Sequence, residues 1–252
     1  MIQPCPRRLR RVGGLDRFLE WDGCYNVRDL GGLRTAGGGT TRFGAVVRSD
    51  GPAKLTADGW RALWAYGIRT VVDLTEESER RADLSSRPAG LVEVHVPLDG
   101  DEEEFWGPLR ENGHWGTALY YAAFLERYPH RIAAAVTAVA AAGPGGVLVH
   151  CGRGRDRTGL ISLMLLGLVG VGADEVFADY QLSDCDRVIE GRLRLGLHDD
   201  TTRIAEIYAE VGATEHDTIH ALLGSLDAAT YLRAAGVTDD HLAAVHARLN
   251  GG

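Results

Sequence analysis

Cys151 and Arg157 stand with five residues between them in the run HCGRGRDRTG, residues 150–159. A thiolate is a strong nucleophile, and a guanidinium is a planar fork that fits two oxygens of a phosphoryl group at once, which lysine cannot do. The pair suits phosphomonoester hydrolysis, where the attacked group is a dianion and the leaving oxygen is poor. A free thiol titrates near about 8.5, so such a nucleophile needs positive surroundings, which a helix start and adjacent arginines supply. Donors from Gly152, Arg153, Gly154, Arg155, Asp156 and Arg157 would hold the non-bridging oxygens. Thr158 is placed to hydrogen-bond the departing sulfur, and His150 reads equally as a loop-orienting group or a satisfied core histidine.

The elements around this loop fit that use. Val147-Leu148-Val149 reads as a buried strand, and the apolar run 160–168 as a core helix. The loop therefore sits at a helix start, where backbone N–H groups lack partners, and Gly152 and Gly154 let it curl around an oxyanion. Upstream, 43–48, 68–74 and 91–98 are strand-like, while 57–66 is an amphipathic helix with Thr56 as its N-cap and Gly67 as its stop. Residues 76–84 read as a short charged helix in which Glu76 can pair with Arg80. Further helices are expected over 118–128, 130–142, 174–182, 184–197, 202–211, on either side of Gly224, and over 239–249. Strands that alternate with helices imply crossover connections, hence an α/β fold with a mainly parallel central sheet flanked by helices and a helical C-terminal layer.

Residues 1–20, with a basic cluster at 7–11, read as a flexible arm, and 21–252 as a single domain, since no Pro/Ser-rich linker interrupts them. The stretch 99–116, acidic at 101–104, reads as a solvated loop or, less simply, as a lid beside the site. The net charge of -8 argues against a nucleic-acid or anionic-membrane partner. No stretch approaches the roughly 20 apolar residues of a bilayer span, and no signal-peptide core follows the basic cluster. A cytoplasmic setting is expected, with export by a route that needs no signal peptide left open. Cys5, Cys24, Cys151 and Cys185 have no Cys-x2-Cys spacing, so neither a zinc site nor a disulfide framework is suggested, and Cys185 reads as a buried structural residue rather than a resolving thiol.

The loop, together with the block Asn26-Val27-Arg28-Asp29-Leu30-Gly31-Gly32, the strand ending in Arg48-Ser49, the Ala178-Asp179-Tyr180 segment and the stretch 225–236, resembles the bacterial, atypical protein-tyrosine phosphatase family. That resemblance implies a protein-tyrosine-phosphatase-like fold and metal-independent hydrolysis through a phosphocysteine, with no cofactor. It implies a protein-tyrosine substrate, extending to dual specificity, with release of inorganic phosphate. A phosphoinositide substrate is the alternative, and a non-catalytic phosphate-binding module a further one, although such modules usually lose the cysteine or the arginine. The leaving oxygen needs a proton. The family places its acid just before the arginine, which favours Asp156. Asp73, at the end of its strand, matches another family aspartate, and Asp99 on the acidic stretch is the third candidate. Where the family has lysine this chain has Arg155, which with Arg153 could engage a second phosphate or could instead pair with the acidic stretch 101–104. Thr75 stands where the family has a second arginine.

Overall fold

Val46, Val72, Val147 and Val149 turn into one apolar cluster while Val47, Val71 and Leu148 turn into another, the period-two pattern of strands covered on both faces. The structure is a computed structural model and describes residues 11–12 and 15–250. Its strands are β1 (Arg11–Val12), β2 (Leu15–Asp16), β3 (Arg28–Asp29), β4 (Val46–Ser49), β5 (Ile68–Asp73), β6 (Val92–His95) and β7 (Gly146–His150). The α-helices among the described residues are α1 (Ala57–Tyr66), α2 (Glu103–Glu111), α3 (Tyr121–Arg127), α4 (Pro129–Ala141), α5 (Asp156–Leu168), α6 (Ala173–Gln181), α7 (Asp186–Arg194), α8 (Thr201–Glu210), α9 (Glu215–Ser225), α10 (Ala228–Ala234) and α11 (Asp239–Leu249).

The central sheet runs β3-β4-β7-β5-β6, with only β3 antiparallel. Ser49 and Asp73 both pair with His150, so the carboxyl ends of β4, β7 and β5 finish level. Loops leaving that edge converge, as expected at the ligand-binding edge of an open α/β sheet. On one face α1 buries Trp60 and Leu63 against Val47, Ile68 and Leu148. On the other, α4, α5, α10 and α11 join one large core. The α1 helix has the boundaries read from sequence: Thr56 accepts from the Gly59 N–H at 3.2 Å, and Gly67 takes φ 102°.

Three expectations need correction. The segment 76–84 is not a helix but a 3-10 turn over Glu77–Glu79, and Arg80 meets Glu77, Glu93 and Asp73 rather than Glu76. The acidic stretch is not a solvated loop: it contains α2, whose Trp106 is buried against Tyr120 and Phe124. The arm is also shorter than read. Arg17 is fully buried and donates to the Asp29 carbonyl at 3.0 Å and to the Asp179 carboxylate, and Phe18 packs with Tyr25 and Cys185. Residues 1–10, the bulk of the expected arm, lie outside the described residues.

Candidate active site

The loop 151–155 hangs between β7 and α5, and its shape is set by close approach to the sheet edge. Gly154 has φ +69° and lies so near β4 that a Cβ there would sit 2.4 Å from the Ser49 carbonyl carbon. Only glycine accepts both constraints. Gly159 serves packing of another kind: a Cβ would stand 2.7 Å from the Tyr180 ring and 3.2 Å from the Tyr121 hydroxyl, so its absence lets α5 close on α3 and α6.

A buried ionic core braces the loop from behind. Asp179 on α6 receives Arg28 Nε at 3.2 Å and Arg48 Nη1 at 2.8 Å, and it also receives Arg17. Arg48 Nη2 donates to the loop carbonyls of Gly154 at 2.8 Å and Arg155 at 3.3 Å. Asn26 Nδ2 reaches the Arg153 carbonyl at 2.9 Å, while Asp50 accepts from the Tyr25 and Asn26 N–H groups at 3.1 and 3.0 Å. The 26–32 block and the Arg48-Ser49 strand end are thus the scaffold of the 151–155 loop. Burial alone would raise the Asp179 carboxyl, but the three arginines hold it well below the usual range. Burial lowers Arg28 to about 10, and Arg48 beside it acts in the same direction.

Cys151 lies at a cavity of about 290 Å³ whose lining includes Arg157, Asp156, Asp99, Glu79 and the side chains of Trp115, Tyr120, Ile204 and Ile207. The Gly154 N–H donates to Cys151 Sγ at 3.3 Å. Thr158 Oγ1 is buried and makes no hydrogen bond among the described residues. Arg157 gives Nη1 and Nη2 to the Glu79 carboxylate, Nη2 at 2.7 Å, and its Nη1 lies 3.3 Å from Asp99 Oδ2. Burial works against the Arg157 charge, yet Glu79, Cys151 and Asp99 together raise it further above the usual arginine value.

The three aspartates separate cleanly. Asp99 is pushed up to about 7, chiefly by burial and also by Glu79, Glu76 and Asp156, with Arg157 opposing. Its backbone is fixed, since the Asp99 carbonyl accepts from Trp106 Nε1 at 2.8 Å and from Arg131. Asp156 lines the cavity as well, with Oδ1 2.9 Å from Arg155 Nη1. Asp73 is absent from that lining. The parallel sheet does bring it to the loop edge, but Oδ1 accepts from the Thr75 N–H at 2.9 Å and the Thr75 hydroxyl at 2.6 Å and faces His150 Nε2 at 3.6 Å. Asp73 therefore braces the buried His150 from outside the cavity that Cys151 lines. His150 is lowered to about 4, first by burial, so it stays neutral at ordinary pH.

Arg155 also departs from expectation. It is 1% exposed and does not line the cavity: Nε meets Asp184 at 2.9 Å, Nη2 meets Glu215 at 2.6 Å, and Nη1 donates to the Tyr180 hydroxyl at 2.8 Å. Its side chain has no donor left for a second phosphate, nor does it meet the 101–104 stretch. Arg153 forms a two-point pair with Asp200 on the cavity rim at 2.6 and 2.7 Å, again not with that stretch. Glu103 and Glu102 pair instead with Arg110 and Arg131. Sequence reasoning missed Glu79, Asp184, Asp200 and Glu215, the carboxylates that hold these arginines. A crowd of loop arginines signals that such partners must exist, but not which ones.

The site thus sets a cysteine and an arginine on one loop between a parallel strand and a core helix, with a carboxylic acid across the cavity. The chain belongs to the tyrosine phosphatase family, whose profile matches residues 19–251. It is similar to a tyrosine-protein phosphatase candidate of Cupriavidus necator, 31% identical over 64% of this chain, and spans 61% of that relative's length. It is 28% identical to the triple specificity protein phosphatase PtpB of Mycobacterium tuberculosis over 87% of this chain and 94% of that protein. Among solved structures, P. aeruginosa TpbA aligns at 20% identity over 71% of this chain and 86% of that one, with a TM-score of 0.31. No helix among the described residues is long and apolar enough to cross a membrane.

Proposed function

We propose that the chain hydrolyses aryl phosphomonoesters, foremost phosphotyrosine in proteins, by a metal-independent route through a phosphocysteine. The observation that carries this reading is the meeting of Cys151 Sγ, the Arg157 guanidinium and the Asp99 carboxyl at one cavity. Flat and branched apolar groups on its wall, Trp115, Tyr120, Ile204 and Ile207, suit an aromatic ring entering phosphate first.

Cys151 attacks phosphorus as a thiolate, an S–P bond forms and the P–O bond to the aryl group breaks. The loop N–H groups and Arg157 hold the three equatorial oxygens, contacts that strengthen as charge spreads over them. Asp99, held up to about 7 by its burial, is protonated through much of the neutral range and gives its proton to the leaving oxygen. Its carboxylate then takes a proton from water, which attacks phosphorus, and the S–P bond breaks to release inorganic phosphate. The Thr158 hydroxyl, which has no other partner among the described residues, is available to the sulfur as it leaves. Asp156 is the second candidate acid, and the pH dependence of the two variants decides between them.

A phosphoinositide substrate is less well supported, because the Arg155 side chain is spent inside the protein and Arg153 is paired with Asp200. The name of the M. tuberculosis relative favours testing phosphoserine and phosphothreonine as well. The deciding assay runs phosphotyrosine, phosphoserine and phosphothreonine peptides beside phosphoinositides, with chelator present. Fast, vanadate-sensitive turnover of phosphotyrosine is expected. Undiminished turnover by Cys151→Ser would sink the mechanism, and a preference for phosphoinositides would sink the substrate assignment.

A further inference from the structure

Where α6 packs on α9, away from the catalytic cavity, three side chains with metal-ligating atoms meet. His216 and His220 are one turn apart on α9, hence on one face, and Asp174 stands in the first turn of α6. Their ligand atoms all lie within 4.8 Å of one another. We infer that this cluster binds a divalent transition-metal ion, with Zn2+ the best fit. Two imidazoles and one carboxylate are the nitrogen and oxygen donors zinc accepts, and three protein ligands leave a fourth position for water.

Three features go beyond mere proximity. With metal–ligand arms of about 2.0–2.1 Å, a tetrahedron has edges of about 3.4 Å, and His220 Nε2 already lies 3.5 Å from Asp174 Oδ1. That same Nε2 is shielded from solvent and makes no hydrogen bond among the described residues, a costly state for a ring nitrogen that has no other use. His216 Nδ1 donates to Asp217 Oδ1 at 3.0 Å. An outer carboxylate on one ring nitrogen fixes the tautomer that turns the other, Nε2, to a metal.

The ion would join two helices that both hold the catalytic loop. Tyr180 on α6 and Glu215 on α9, the latter adjacent to His216, are partners of Arg155. A metal here is therefore a strut behind the loop and takes no part in phosphate chemistry.

The test is calorimetric titration of the full chain with Zn2+, in a Cys151→Ser background so that the nucleophile cannot bind the ion. One ion per chain is expected. His216→Ala and His220→Ala should each weaken binding at least about tenfold, the scale seen when even an outer partner of a metal ligand is lost. Zn2+, but not Mg2+, should raise the thermal midpoint of the parent and leave that of either variant unmoved. His216 is exposed, so its variant decides the matter even if His220→Ala folds poorly. No saturable binding, or binding that survives both substitutions, overturns the site.

Discussion

Arg157 Nη2 lies 2.7 Å from Glu79 Oε1 while Nη1 serves the other oxygen, so a carboxylate of the protein faces the fork that an incoming phosphoryl group would use. Burial favours the neutral form of Glu79, but the Arg157 hydrogen bond outweighs it and holds the carboxyl below its usual range. Glu79 therefore stays ionised at neutral pH beside Asp99, which is held up. Two carboxyls on one arginine are thus shifted in opposite directions, Glu79 down and Asp99 up to about 7.

Glu79→Gln removes a negative charge that an arriving dianion must displace or tolerate. An exposed or half-exposed ion pair is worth about 1 kcal/mol or less, so inorganic phosphate should inhibit the variant up to about fivefold more tightly. A weaker inhibition constant together with a lower kcat would show instead that Glu79 acts mainly to aim Arg157.

Asp99→Asn should cost about 10²- to 10⁴-fold on a phosphate ester with a poor leaving group and far less on one with a good leaving group. The wild-type rate on the poor substrate should fall as pH rises through about 7, where Asp99 loses its proton. That limb should flatten in the variant. If Asp156→Asn flattens it and Asp99→Asn does not, the acid is Asp156.

Arg155→Ala leaves Asp156, Asp184 and Glu215 facing one another in the interior. Removing one partner of a buried ionic cluster costs about 3–5 kcal/mol, which in a chain of this size lowers the thermal midpoint by roughly 6–20 °C. Arg153→Ala, on the rim, should leave the midpoint nearly unchanged. A stable Arg155→Ala protein that lost only phosphoinositide turnover would restore Arg155 as a substrate group.

Asp179→Asn strips the carboxylate from three buried arginines and should likewise cost about 3–5 kcal/mol at neutral pH. The folded value of Asp179 is depressed. Its stabilisation is therefore present above the unfolded value of about 3.9 and lost as pH falls through the lower folded value. Melting curves from pH 7 down to pH 3 should show the gap between wild type and variant persisting and only beginning to narrow below about pH 4. A gap that closes near neutrality would point to another group.

Strands β4 to β7, the Cys151 loop and most helices were legible because each rests on local pattern: alternating valines, the Thr56 cap, the Gly67 stop. The α2 helix was not, because Pro108 and the acidic run hide a segment that is held by tertiary burial of Trp106. That Cys151 and Arg157 share one cavity was legible from a single loop. The arginine partners were not, because Glu79, Asp184 and Glu215 come from separate segments whose meeting depends on the whole fold, and Asp99, one of three acids the sequence offered, is set apart only by its burial beside Arg157. Arg155 was misjudged for the same reason: a charged loop residue reads as a ligand until the carboxylates behind it are known.

Arg17 sets a practical limit on how the chain can be shortened. A truncated version beginning at Trp21, which looks safe from sequence, would leave the Asp179 carboxylate to Arg28 and Arg48 alone and free the Asp29 carbonyl. Limited proteolysis should accordingly spare the peptide bonds around Arg17 in the folded protein. Trimmed expression products that start beyond it should be recovered in poorer yield than those that retain it.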